Sequence, residues 1–141
     1  MRVKLSLKKW ILKLLFLLII TGLNGSEVII KADWKNLDNK VVHLNELFHK
    51  NKVIHILVFR VIDCSPCVKD SIRKIKKIDP NAIAIVGYVK DAEVELLKIH
   101  EYDIQILPDI NYQLIRQLRL RKTPVHLTVD NSLRIIEAKP I

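Results

Sequence analysis

Only two cysteines occur among 141 residues, Cys64 and Cys67. Neither a second Cys-x-x-Cys pair nor a closely spaced His pair follows them, so half of a four-ligand zinc site is missing. His43, His49 and His55 precede the cysteines instead, in segments that read as strand, helix and strand. Cysteine is absent near the N-terminus too, which excludes a lipid-modified cysteine as a membrane tether. Aromatic residues make up only 6%, and Trp34 and Tyr112 stand isolated, so nothing forms a nucleotide or cofactor box. The chain lacks internal repeats and low-complexity tracts, and it lacks any linker after residue 26. A length of this order suits one domain around one core.

A basic excess is present, but its position removes most of its meaning. Of the 24 Lys and Arg residues, Arg2, Lys4, Lys8, Lys9 and Lys13 lie at the start, which leaves 19 against all 15 acidic residues after residue 26, a net charge of +4. That balance is ordinary and disfavours nucleic acid as a partner. The five bases flank Leu14 to Ile20, within an apolar stretch from Trp10 to Leu23 interrupted by Lys13, Thr21 and Gly22. A bilayer-crossing helix needs roughly 20 apolar residues and a secretory core about 7 to 15, so the length points to an export signal. Cleavage after Gly25 would leave Leu23 where a small side chain is preferred, so an uncleaved anchor is the alternative. Residues 1–25 are therefore expected to be a signal peptide or N-terminal membrane anchor, and residues 26–141 the folded domain. The membrane is expected as a partner only through that segment, and the domain is expected in the periplasm or an equivalent extracytoplasmic space. Disulfides persist there.

Along the domain, Glu27 to Lys31 and Val41 to Leu44 are β-rich runs on either side of a turn-like stretch, Lys35 to Lys40, and predict an N-terminal hairpin. Asn45 begins one or two helical turns to Lys50. Val53 to Ile62 is almost continuously apolar and predicts a central strand covered on both faces. After Cys67, Val68, Ile72, Ile75 and Ile78 fall on one face of a helix whose other faces carry Lys69, Arg73, Lys74, Lys76 and Lys77. Asp79-Pro80-Asn81 ends it. Ala82 to Val89 is a second buried strand, and Asp91 caps a helix to about His100 with Val94, Leu97 and Ile99 inward. Ile104 to Leu107 is a short extended piece broken by Pro108-Asp109 before a helical stretch, Ile110 to Leu118. Val125 to Val129 and Leu133 to Ala138 form a closing hairpin. His126 reads as a strand residue in the core or at its edge, not as a catalytic base. The order predicts an α/β fold with a mixed sheet, parallel in the middle, antiparallel at one edge, and helices on both faces.

The Cys-x-x-Cys run sits where a strand hands over to a helix. Free backbone N–H groups and the positive end of the helix dipole stabilise a thiolate there, which lowers a cysteine pKa from about 8.5 towards 7 or below. Cys64 is thus the expected nucleophile. Cys67, one turn further in and expected to be more shielded, resolves the mixed disulfide. Pro66 suits the first helical turn, where it removes no helical hydrogen bond. Ser65 adds a hydroxyl without charge. Redox use leads, ahead of a structural disulfide and a zinc site.

These residues together resemble the thioredoxin-like superfamily, and most of all its exported TlpA-like and ResA-like thiol-disulfide oxidoreductases. The resemblance rests on the strand leading into Cys64-Ser65-Pro66-Cys67, on Thr123-Pro124 before the final hairpin, and on the N-terminal hairpin, and it covers roughly residues 27 to 138. It implies a thioredoxin-like three-layer sandwich in which a mixed central sheet is flanked by helices. It implies no cofactor beyond a redox-active Cys64–Cys67 disulfide, and no metal. Cys64 would attack and Cys67 resolve. Thr123 and a cis Pro124, with Ser65 and Pro66, would form the wall against which a substrate strand pairs. The partners would be cysteine-containing exported proteins and a membrane or soluble electron donor, with electrons flowing in the reducing direction. A non-catalytic binding or assembly module holding a structural disulfide is the other reading. Two positions depart from the family: Asp63 replaces the tryptophan many thioredoxins carry before the first cysteine, and Val58 replaces the acid under the dithiol. Glu101, Asp103 or a histidine are the candidates to take that acid's place. An inward Asp63 carboxylate would raise the thiol pKa.

Overall fold

The computed structural model describes residues 27–48 and 51–141. The segment expected to serve export lies outside the described residues. Strands β1 (Asp33–Lys35) and β2 (Val41–His43) form a small antiparallel hairpin. A 3-10 turn at Leu44–Phe48 follows, and then β3 (Val53–Arg60), α1 (Ser65–Ile78), β4 (Ile83–Tyr88), α2 (Asp91–His100), β5 (Gln105–Ile110), α3 (Gln113–Gln117), β6 (Val125–Asp130) and β7 (Ile135–Pro140). The main sheet runs β5-β4-β3-β6-β7. Its β3–β4 and β4–β5 pairs are parallel and its β3–β6 and β6–β7 pairs antiparallel.

The apolar run of β3 is buried on both sides because side chains alternate across a strand. Leu57 and Phe59 pack with Val68, Ile72 and Ile75 of α1 and Leu97 of α2. Ile54, Ile56 and Val58 pack on the opposite face with Trp34, Leu44, Leu114 and Ile115. The sheet is thus the middle layer of three. Among the described residues no helix is long and apolar enough to cross a membrane.

Several expectations need correction. The first arm of the hairpin is Asp33–Lys35, not Glu27 to Lys31. Trp34 explains the difference: it is buried, and its indole Nε1 donates to Lys31 O at 2.9 Å. Residues 27–31 instead run beside the final strand, with Ile30 N donating to Leu133 O (2.9 Å) and Ile135 N donating to Val28 O (3.1 Å). The turn from Lys35 to Lys40 stands as read, because Asn36 Oδ1 accepts the backbone N–H groups of Asp38 and Lys40.

Pro108-Asp109 does not break the extended piece after Ile104, because β5 continues through both residues to Ile110. A sheet edge tolerates proline, since the missing N–H can fall on the side with no neighbouring strand. Asp109 is almost fully buried, and its Oδ2 accepts the N–H of Leu114 at 2.9 Å, which organises the start of α3. The helical stretch itself shrinks to Gln113–Gln117.

Ile78 and Ile99 are exposed rather than inward. α1 ends at Ile78, where the chain turns and buries Asp79 in its place, and Leu97 alone fills the interior position of α2. The cap of α2 also moves by one residue. Lys90 occupies the cap position, and Glu93 accepts the N–H groups of Val89 (2.7 Å) and Lys90 (3.0 Å), which hold its carboxyl below the usual carboxylate range.

Candidate active site

β3 ends at Arg60, and four residues later the chain enters α1 through Cys64, which takes the N-cap position. The Cys64 carbonyl accepts the N–H of Val68 at 2.9 Å, so the helix starts at the first cysteine itself. Pro66 lies in the first turn. Ser71 Oγ donates to the Cys67 carbonyl at 3.0 Å and secures the next turn.

Both thiols are free and exposed. Cys67 is therefore not shielded as expected, because the first turn of α1 stands clear of the sheet and burial begins only at Val68. The two sulfurs nevertheless differ. Cys64 is held below the ordinary thiol value, first by the Cys67 S–H donating to its sulfur and then by the Cys67 backbone N–H, against desolvation and the charge of Asp63. Cys67 is pushed up, first because it keeps the proton it shares with Cys64 and then by desolvation and the negative charge of Cys64. The shifts run in opposite directions, which favours Cys64 as the attacking thiol and Cys67 as the one that holds its proton.

The Thr123–Pro124 peptide bond is cis. The neighbouring pairings begin at Val125, which faces Val58 in β3 and Pro140 in β7, so Thr123 and Pro124 lie outside the ladder. The Thr123 side chain does not face solvent alone. Its Oγ1 donates to Asp63 Oδ2 at 2.5 Å and accepts from Arg60 Nε at 3.0 Å. Asp63 Oδ2 also accepts the Arg60 backbone N–H at 2.8 Å, and Oδ1 lies 3.3 Å from Arg60 Nη2.

Asp63 is therefore not a charge aimed at the dithiol. It joins the end of β3, the residue before Cys64 and the loop before β6 into one hydrogen-bonded unit. Its charge does raise both thiols, but as the smallest of the influences on each. Arg60 was not among the residues singled out from sequence. An Arg three residues before an Asp at a strand end is the only local signal for it, and the link to Thr123 spans sixty residues.

Neither Glu101 nor Asp103 is among the groups that act on the two thiols. Val58 is fully buried among apolar neighbours. Glu101 is exposed at the end of α2, and Asp103 pairs with Lys76 at 3.0 Å. Lys76 stands nine residues beyond Cys67, about 13 Å along the helix. His126 is buried in β6, opposite Leu57, on the face that α1 covers. Its Nε2 lies 2.8 Å from His55 Nδ1, while its own Nδ1 is buried without a partner.

No family model matches this chain, and no curated protein matches it. Solved structures do. The C-terminal domain of a putative thiol-disulfide oxidoreductase from Bacteroides thetaiotaomicron superposes with a TM-score of 0.60 at 14% identity, over 80% of this chain and 83% of that one. The exposed lipoprotein thioredoxin Etrx1 of Streptococcus pneumoniae gives 0.58 at 19% identity, over 77% and 87%. A thiol-disulfide oxidoreductase from Bacteroides fragilis gives 0.59 at 10%, over 83% and 91%. The fold is thioredoxin-like. In this thioredoxin-like domain the Cys-x-x-Cys run and the cis-proline loop meet at the carboxyl end of the central strand.

Proposed function

We propose that this chain is a thiol-disulfide oxidoreductase that reduces disulfides in exported proteins through Cys64 and Cys67. The observation that carries the reading is the placement of Cys64 and Cys67 at the start of α1, just after the central strand and tied through Asp63 to the cis Thr123–Pro124 loop. The Cys64 thiolate attacks one sulfur of a partner disulfide, forming a Cys64–partner bond and releasing the other partner sulfur as a thiolate. Cys67 then gives up its proton and attacks the Cys64 sulfur. The Cys64–Cys67 bond forms, the second partner sulfur leaves, and two electrons have passed to the partner. A membrane or soluble dithiol donor restores the reduced pair.

Thr123 and Pro124 supply the wall for an extended substrate, and their position outside the strand ladder supports that role. Ser65 and Pro66, in the first turn of α1 between the two cysteines, would complete the substrate contact beside the dithiol. The reducing direction requires a dithiol less stable than its disulfide relative to the partner, and a gap of about 30 mV corresponds to roughly 1.4 kcal/mol. Export agrees with the basic and apolar first residues and with the exposed and secreted proteins among the similar structures.

The test is a trap. With Cys67→Ser, release from the mixed disulfide stops, and partner proteins should accumulate covalently on Cys64, where mass spectrometry identifies them. Cys64→Ser should trap none. If Cys67→Ser traps nothing in cells, or if a physiological dithiol cannot reduce the Cys64–Cys67 bond, the pair is structural and the proposal fails.

A further inference from the structure

An open groove of about 980 Å³ begins at Ser65 and Pro66 and follows α1 away from the dithiol. Ile72 and Tyr102 line its floor, and Lys69, Arg73, Lys76 and Lys77 stand on it from the helix. From Pro66 to Lys77 the helix advances about 16 Å. An extended chain of about five residues covers that distance.

The groove's lining carries five bases, Lys69, Arg73, Lys74, Lys76 and Lys77, against three acids, Asp70, Glu101 and Asp103, an excess of two. Arg73 and Lys74 share Asp70, and Lys76 pairs with Asp103. Lys69 and Lys77 form no ion pair among the described residues. Simple solvation of a helix face explains the lysines but not their placement around a partly apolar trough that opens beside the reactive cysteine. Glu101, at the end of α2, is the lining acid outside those pairs, so two unpaired lysines face one carboxylate among the described residues and a basic excess remains. A neutral or basic chain laid there would leave that excess uncompensated.

We infer that this groove binds an extended acidic segment flanking the disulfide of the protein partner, so that Lys69 and Lys77 select acidic partners while Ile72 and Tyr102 take an apolar side chain. The inference rests on the oxidoreductase reading above. It adds a surface distinct from the Thr123–Pro124 wall, on the other side of the cysteines along α1. Opposite charges across such a surface act mainly by steering the encounter and rejecting the wrong partner.

The experiment compares second-order rates for the reduced full chain with four probes: hydroxyethyl disulfide, which is small and neutral, and disulfide-bridged peptides with a five-residue flank rich in Asp, in Asn or in Lys. At low ionic strength the Asp peptide should react about tenfold faster than the Asn peptide and the Lys peptide slower, with the advantage falling to about twofold near 0.5 M salt. The double substitution Lys69→Glu with Lys77→Glu should reverse the order of the peptides and keep the hydroxyethyl disulfide rate within about twofold of wild type. Equal rates for the three peptides in the wild-type chain overturn the groove assignment, whether or not the double variant folds. Failure to reduce even hydroxyethyl disulfide counts against the oxidoreductase reading instead. If the wild-type chain proves to be a dimer that the same substitutions dissociate, the occupant is a second copy and the acidic partner is overturned.

Discussion

The hydroxyl of Thr123 donates to the carboxylate of Asp63 at 2.5 Å, and this contact ties the residue before the dithiol to the residue before the cis-proline. Arg60 closes the arrangement by donating to both side chains. Relative placement of the two halves of the site therefore depends on Asp63, whose side chain is only 9% exposed.

Asp63→Ala removes the acceptor for the Arg60 N–H, the Arg60 guanidinium and the Thr123 hydroxyl together. A cost of roughly 1–3 kcal/mol is expected from leaving such groups unpaired. Urea denaturation measures it. Asp63→Asn retains an oxygen acceptor and should cost less. Both substitutions also delete a negative charge that raises the two thiols, so Cys64 should titrate lower than in the wild type. Wild-type stability and an unchanged Cys64 titration in Asp63→Ala would show that the contact positions nothing.

The asymmetry of the thiols leads to a second prediction. The largest influence on Cys64 is the S–H of Cys67, so Cys67→Ala should raise the Cys64 pKa and slow its alkylation at neutral pH. Cys67→Ser keeps a hydroxyl that can donate, and its Cys64 should titrate between the wild type and Cys67→Ala. The pH dependence of iodoacetamide alkylation reads this order directly. If both variants titrate like the wild type, the helix start alone sets the thiolate.

Much of this site was legible because it is local. The strand Val53 to Arg60, the cysteines at the next turn and the stripe Val68, Ile72 and Ile75 follow from apolar periodicity within thirty residues. Thr123-Pro124 was legible through the resemblance to the thioredoxin-like superfamily, which places a cis-proline before the final hairpin. The hairpin failed at its first arm because Glu27 to Lys31 is as β-prone as Asp33–Lys35, and burial of Trp34 decided between them. From sequence β5 reads short because proline disrupts strands except at an edge, and edge position is a property of the whole sheet. The Arg60–Asp63–Thr123 unit was invisible for the same reason, since it needs β6 laid against β3.

The buried histidine gives a pH signature. Burial holds His126 below the ordinary histidine value, and His55 and Lys139 push in the same direction while Glu137 opposes them. Those three, from β3 and β7, are the charged or titratable groups acting on it across the sheet face. A depressed histidine favours the neutral form in the fold. Its contribution is therefore complete above the unfolded pKa near 6.5 and is lost as pH falls from there through the lower folded value. Stability measured by urea should thus decline as pH drops below about 6.5. The His126→Leu chain should show a shallower decline over that window. An equal slope in both would place the acid sensitivity elsewhere.

Gly87 makes the most exacting claim on packing. It sits in β4 between Arg60 of β3 and Asp109 of β5, and its carbonyl accepts the N–H of Val61 at 3.0 Å, just before the dithiol. A methyl group on Gly87 would overlap Tyr112 Cδ1 and come within 2.8 Å of Ile115 Cδ1. The end of the Ile115 side chain can move, but the Tyr112 ring belongs to a residue whose backbone is held in the left-handed region at the entry to α3. Gly87→Ala should therefore cost about 1–3 kcal/mol, as overpacked cores do. In Tyr112→Ala the obstacle is absent, so adding Gly87→Ala should cost markedly less than it does in the wild type. A double-mutant cycle in urea measures that coupling, and additivity of the two substitutions would mean that the ring yields freely and that Gly87 is not reserved for it.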